Sequence, residues 1–212
     1  AKHTQRDALR IRMVWDSIPS QLAKENKRFV FGAVRKGARA ADFEIAIQWL
    51  VDAGLVYKVG RVSKPGMPLK FYVDNNSFKL YLLDVGLLGA LASAPPVKIL
   101  IGDNIFNEYK GAFTENYVMQ QLRTLADMPV CYFSKENSMM EVDFVAQTSL
   151  RVVPIEVKAE ENTKAKSLRM LVQHEFPELH LHAVRFSMMD YKVQDWMTNV
   201  PLYAVREYMS EQ

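Results

Sequence analysis

Two short stretches, Glu141-Val142-Asp143-Phe144-Val145 and Pro154-Ile155-Glu156-Val157-Lys158, constrain this chain more than any other feature. Apolar and charged residues alternate in both with period two, which is the pattern of a strand with two unlike faces. Ile155 and Val157 point one way, and Glu156 and Lys158 the other. In the first stretch Val142 and Phe144 share a face and Asp143 lies opposite. The connection from Gln147 to Arg151 is polar and short, so an antiparallel hairpin is expected. Pairing then puts Asp143, Glu156 and Lys158 on one face, two carboxylates beside an ammonium.

That triplet suits metal-assisted phosphodiester cleavage. Two carboxylates can hold a hard divalent cation such as Mg2+ or Mn2+, which prefers oxygen ligands and keeps several waters. The ion polarises the phosphate and acidifies a bound water. Lys158 can orient that water or offset charge building on the phosphate. Alternating charge on a half-solvated strand, with an ordinary ion pair between neighbours, gives the same pattern without catalysis. A third carboxylate joins the set. Gly111 to Ala126 reads as a helix with Phe113, Tyr117, Val118, Met119, Leu122 and Leu125 apolar, and Glu115 falls on that inward stripe. A carboxylate facing a core needs a metal, a lysine or hydrogen-bond donors. A structural salt bridge would serve as well.

The order helix-Glu115, strand-Asp143, then Glu156-x-Lys158 resembles the PD-(D/E)XK nuclease superfamily. There an acid, an Asp and a Glu-x-Lys form the metal site. KLYLLDVGLLGAL (Lys79 to Leu91), GAFTENYV (Gly111 to Val118), EVDFV and PIEVKA also resemble one particular domain. It is the C-terminal domain of a large group of bacterial and archaeal AAA-type ATPases, known as domain of unknown function 4143. The resemblance runs from about Phe71 to the C-terminus. It implies that Glu115, Asp143 and Glu156 bind Mg2+ or Mn2+ and that Asp143, Glu156 and Lys158 carry the chemistry. Asp143 within EVDF stands for the Asp of the "PD" pair, without its proline. The relatives carry their ATPase domain before this region, so ATP binding is expected only in an N-terminal part absent from this chain.

At 212 residues the chain can hold one large domain or two small ones. A net charge of +3 is compatible with nucleic acid without demanding it. A single cysteine, Cys131, excludes an internal disulfide, and a reducing cytoplasm fits. No apolar run is long enough to cross a membrane, and no signal peptide is evident. The start at Ala1 without a methionine suggests a fragment.

The N-terminal part reads as helices followed by a hairpin. Arg6 to Trp15 is a first helix, and a second starts at Ser17 with Pro19 in its first turn. Ala40 to Asp52 is a third, stopped by Gly54. Strands Leu55 to Val62 and Leu69 to Val73 flank the turn-rich Lys64 to Pro68. Three helices and a β-wing constitute a winged helix. Lys27, Arg28, Arg35, Lys36 and Arg39 lie near the third helix, with Arg61 and Lys64 at the wing, and on a functional reading they touch phosphates. The third helix offers Asp42, Glu44 and Gln48 outward and no arginine, which speaks against base readout. Gly32-x-x-x-x-Gly37 has P-loop glycine spacing but lacks the Lys and Ser/Thr that must follow.

The boundary is set near Pro95, giving a winged-helix domain with linker over 1–94 and a nuclease-like domain over 95–212. Phe78 to Leu83 is expected as a strand, Val85 to Leu91 as a short helix and Ile99 to Tyr109 as a helix. Further on, Val130 to Phe133, Leu179 to Phe186 and Leu202 to Val205 read as strands, and Lys164 to His174 as a helix. The fold class is therefore α/β (α+β), a winged helix followed by a restriction-endonuclease-like mixed sheet flanked by helices. His180 and His182 form an HxH pair with no third zinc ligand in view, and Tyr191 and Trp196 are expected to close the hydrophobic rim. Three functions stay open: a Mg2+-dependent nuclease module of an ATPase; a catalytically silent nuclease fold that binds DNA or protein and regulates the ATPase; and a winged-helix regulator. Expected partners are nucleic acid and the chain's own N-terminal ATPase domain, with homo-oligomers compatible and no membrane.

Overall fold

Apolar residues at helical spacing build the N-terminal elements. In the computed structural model, which describes residues 2–94, 104–160 and 165–212, helix α1 spans Lys2–Leu22. It is continuous where the sequence suggested two helices: Ser17 Oγ donates to the Val14 carbonyl rather than capping a new start, and Pro19 lies inside. Val14, Ile18 and Leu22, a stripe at i, i+4 and i+8, are buried. After the single turn α2 (Phe31–Val34) comes α3 (Ala40–Asp52), which buries Phe43, Ala46, Ile47 and Leu50. Its first turn is tied by Asp42, which accepts the Arg39 N–H at 2.9 Å. It ends at Gly54, whose φ of 70° only glycine adopts cheaply.

Strands β1 (Val56–Val62) and β2 (Val73–Leu82) follow, with the 3-10 turn Leu69–Tyr72 between them. The strand expected over Leu69 to Val73 is instead that 3-10 turn, with only Val73 extended, and the strand expected at Phe78 starts five residues earlier as the ten-residue β2. Asp84 caps α4 (Val85–Leu91) by accepting the Leu87 N–H at 2.7 Å. Helix α5 spans Asn104–Arg123. The proposed join at Pro95 and the residues before Asn104 lie outside the described residues. The chain forms two compact units, Ala1–Lys58 with Ser77–Asn116 and Val59–Asn76 with Tyr117–Gln212.

Eight strands make one mixed sheet in the order β2-β1-β3-β4-β5-β6-β8-β7, and seven α-helices accompany it among the described residues, an α+β fold. The remaining strands are β3 (Val130–Ser134), β4 (Glu141–Gln147), β5 (Val152–Val157), β6 (Ala183–Ser187), β7 (Lys192–Val193) and β8 (Met197–Pro201). β4 and β5 form the antiparallel hairpin read from the sequence, with Phe144 opposite Ile155. β5–β6 and β6–β8 are parallel, so the C-terminal ends of these strands lie side by side. Against β3 the register of β4 slips by one residue between Val145 and Val142, a β-bulge spanning Asp143 and Phe144.

One face of the second unit's sheet is capped by α6 (Lys166–Met170) and the π-turn Leu171–Glu175. Leu168, Leu171 and Val172 pack there with Val62, Val142, Val145, Val152, Ala183 and Met197. The helix expected over Lys164–His174 is thus two pieces, its first residue outside the described set. Trp196 packs against this cluster, as expected for a rim residue, and Arg169 lies over its ring at 5.2 Å. The other face carries Phe186, in edge contact with Tyr208 of α7 (Val205–Ser210) at 6.5 Å.

Two further expectations need correction. His180 follows a 3-10 turn with φ 47°, and both His180 and His182 precede β6, so they are not an HxH pair on a strand face. His182 meets Thr198 Oγ1 at 2.9 Å. The terminal strand is Met197–Pro201; Leu202–Ala204 is a 3-10 turn leading into α7. No helix among the described residues is long and apolar enough to cross a membrane. Leu168→Ala would leave a cavity under α6 and is expected to cost about 2–5 kcal/mol, read from urea unfolding.

Candidate functional site

Strand register gathers the charged residues of the second unit into one row. Glu156 on β5 is level with Arg185 on β6, Arg185 with Asn199 on β8, and Asn199 with Lys192 on β7. Asp143 follows the last β4–β5 pair, Phe144–Ile155, inside the bulge, and its Oδ2 accepts the Val157 N–H at 2.7 Å, so its carboxylate reaches the β5 backbone next to Glu156. Charge along the row runs negative, negative, positive, neutral, positive.

Local sequence explains why the row is polar. Val152, Ala183 and Met197, earlier on the same faces of β5, β6 and β8, belong to the apolar cluster under α6. Glu156, Arg185 and Asn199 lie further along the same strands, toward their C-terminal ends. Ends of parallel strands are where open α/β sheets commonly place ligands.

Burial makes each charge depend on its neighbours. Glu156 is buried on a strand flanked by two others, and Lys158 Nζ approaches its Oε1 at 2.5 Å. Lys158 is pinned in turn by its N–H, which donates to the Phe186 carbonyl at 2.8 Å. Arg185 is buried too; its Nε donates to Asn199 Oδ1 at 2.8 Å. Burial pulls the Arg185 guanidinium below its usual range, and Glu156 opposes that pull. Ser187 Oγ donates to the same Asn199 oxygen at 2.7 Å. Arg185, Ser187 and Asn199 were not singled out from the sequence. The available signal was a charged residue inside the apolar run Ala183 to Phe186.

Glu115 belongs to the first unit and has its own partners there. It is buried, with Lys27 Nζ at 2.7 Å from Oε1 and the Tyr81 hydroxyl donating to Oε2 at 3.0 Å. Burial alone would raise its carboxyl; Lys27, Lys79 and the hydrogen bonds outweigh it and hold the group below the ordinary 4.5. Next to it, Asn116 brackets β2, accepting the Leu82 N–H and donating to the Leu82 carbonyl.

Of the basic residues expected to touch phosphates, Lys27 is spent on Glu115. Arg61 pairs with Asp74 and Glu136, each at 2.8 Å, and the Glu136 contact is the main reason its guanidinium rises above the usual range. Lys64 meets Glu178 at 3.2 Å. Arg28, Lys36 and Arg39 are exposed, and Arg35, 3.9 Å from Asp42, is largely so. The outward face of α3 carries Glu44, Ile45, Gln48 and Trp49, which supply no positive charge for a groove.

Residues 110–205 match the family described as Domain of unknown function (DUF4143). Residues 1–98 match another, described as Domain of unknown function (DUF8612). Neither a curated protein nor a solved structure matches the chain. The C-terminal match contains Glu115, Asp143, Glu156 and Lys158 together with Arg185 and Asn199.

Glu115→Ala would leave buried ammonium groups without their counter-charge and is expected to cost about 3–5 kcal/mol in urea unfolding. Because folding lowers this carboxyl, its contribution to stability is complete above its unfolded value near 4.5 and is lost as pH falls through the folded value. Unfolding curves between pH 3 and 7, roughly the range that brackets that loss, should therefore show wild type declining toward acid more steeply than the variant.

Proposed function

We propose that the acidic end of the row, Asp143, Glu156 and Lys158, is a phosphodiester-hydrolysing site that works with a bound Mg2+ or Mn2+. The observation that carries this reading is an Asp143 carboxylate bonded to the β5 backbone at Val157, next to Glu156 near the C-terminal end of that strand, with the Lys158 ammonium in contact with Glu156. Among the described residues no group of three His, Cys, Asp or Glu side chains is arranged to hold a metal ion. Magnesium does not need one: it is commonly held by one or two carboxylates, waters and the substrate's own phosphate oxygens. The donor set fits that ion and does not fit zinc.

When bound, the cation would supply Lewis acidity to the phosphate and acidify a water. The chain's own residues do the positioning. The Val157 amide fixes the Asp143 carboxylate, and the bulge spanning Asp143 turns it toward β5. Lys158 sits where an ammonium can orient the attacking water or take up charge on the phosphate oxygens. Glu115 is left out of this set because two lysines of the first unit already balance it. Nucleic acid is the substrate class, with Arg28, Arg35, Lys36 and Arg39 contacting its backbone from a winged-helix-like N-terminal part. An ATPase domain preceding this region would load the substrate.

A second reading has its own support. Lys158 and Arg185 already neutralise Glu156, so the cluster is electrically satisfied without a metal. A catalytically silent nuclease-like module, binding nucleic acid or protein and regulating an ATPase, would look the same. Incubating the purified chain with Mg2+ or Mn2+ and single-stranded, duplex or branched DNA separates the two. Cutting is expected, with Asp143→Asn and Lys158→Ala each at least about a hundredfold slower and melting little changed. Equal, background-level signal from wild type and both variants on every substrate would leave the silent module.

A further inference from the structure

The basic half of the row opens into a pocket of about 450 Å³ lined by Arg185, Asn199, Lys192 and the Met188–Tyr191 loop. That size falls in the range of small-molecule sites. We infer that this pocket takes the nucleotide next to the cleaved phosphate, with its phosphate on Arg185 and Lys192 and its base against Tyr191 and Met188. The inference rests on the phosphodiester reading above and adds to it a subsite that acts through a single nucleotide unit.

Charge is the first reason. Two cations, Arg185 and Lys192, line the pocket with the carboxylate of Asp190 at its exposed rim, Arg185 also facing Glu156 on the next strand. Arg185 is only 2 % exposed, so its guanidinium is held rigidly, and a planar fork of donors matches phosphate oxygens. Rigidity is the second. Asn199 spends its amide on the loop, donating to the Asp190 carbonyl at 2.8 Å and the Met189 carbonyl at 3.2 Å, while its oxygen accepts from Arg185 and Ser187. One side chain thus ties the loop to the row, and the pocket exists before a ligand arrives.

Exposed apolar surface is the third. Tyr191 is 58 % and Met188 61 % exposed at the pocket, in place of the closed rim expected for Tyr191. The Tyr191 ring is backed by Tyr208 at 6.5 Å and is free to offer an aromatic face to a base. Spacing is the fourth. Lys192 lies three strands from Glu156, roughly 14 Å at the usual inter-strand distance, so a phosphate at each end of the row belongs to different nucleotides.

The test uses the full chain in chelator, where no cleavage can occur, titrated calorimetrically with thymidine 5′-monophosphate, thymidine and inorganic phosphate. The monophosphate should bind saturably and at least about tenfold tighter than either fragment. Lys192→Ala and Tyr191→Ala, both at exposed positions, should each weaken it about tenfold without shifting the melting transition. No saturable binding, phosphate binding as tightly as the monophosphate, or wild-type affinity in both variants would overturn the inference. Nucleotide binding by a protein that cuts nothing would sink the phosphodiester reading and spare the pocket. Cutting without nucleotide binding would do the reverse.

Discussion

A carboxylate buried on an interior strand sets the terms for the C-terminal unit. Glu156 lies on β5 between β4 and β6, where water cannot solvate it, so its neighbours must. Lys158 and Arg185 approach from its own strand and the next. Arg185 in turn needs Asn199, and Asn199 needs the carbonyls of Met189 and Asp190. The loop before β7 is therefore tied by hydrogen bonds to Arg185, and through the electrostatic pairing of Arg185 with Glu156 to one glutamate near the middle of the sheet. Such networks hold one arrangement firmly when complete and are costly when broken.

The first unit uses the same physics for another end. Glu115 is as deeply buried as Glu156, yet Lys27 and the Tyr81 hydroxyl surround it, and beside it Asn116 clasps the backbone of Leu82. These contacts join α5 to β2 and to the segment before α2, where Phe29 also stacks on Phe78. A buried ion pair is weak evidence for stability but strong evidence for specificity of arrangement, because either partner alone is intolerable. In the second unit Arg61 and Lys64 show a milder form, each pairing with carboxylates at the surface.

Much of this was legible in the chain itself. Alternation in Glu141–Val145 and Pro154–Lys158 was enough to give the hairpin, but the bulge at Asp143 and Phe144 breaks it, so Val142 packs with Val145 under α6 while Phe144 lies opposite Ile155. The i, i+3, i+4 stripe of α3 and its Gly54 stop were equally plain. Boundaries read less well where local signals competed: Ser17 looked like a helix start but bonds backward to Val14, and the apolar run at Leu202 to Val205 turned out to be a turn and a helix. His180 was placed on a strand because the run Leu179 to Phe186 is apolar enough, while the backbone there is left-handed.

The sequence by itself put one carboxylate, Glu115, on an apolar stripe and set Asp143 and Glu156 on the charged faces of their strands, since periodicity marks which face a side chain takes. The burial of Glu156 came only with the neighbouring strands. It could not say which cation answers each of them. That choice depends on parallel register between β5, β6 and β8, set by contacts dozens of residues apart. Lys27 for Glu115 and Arg185 for Glu156 were decided only by tertiary structure, because a Coulombic partner is selected by distance in space and leaves no periodic trace along the chain.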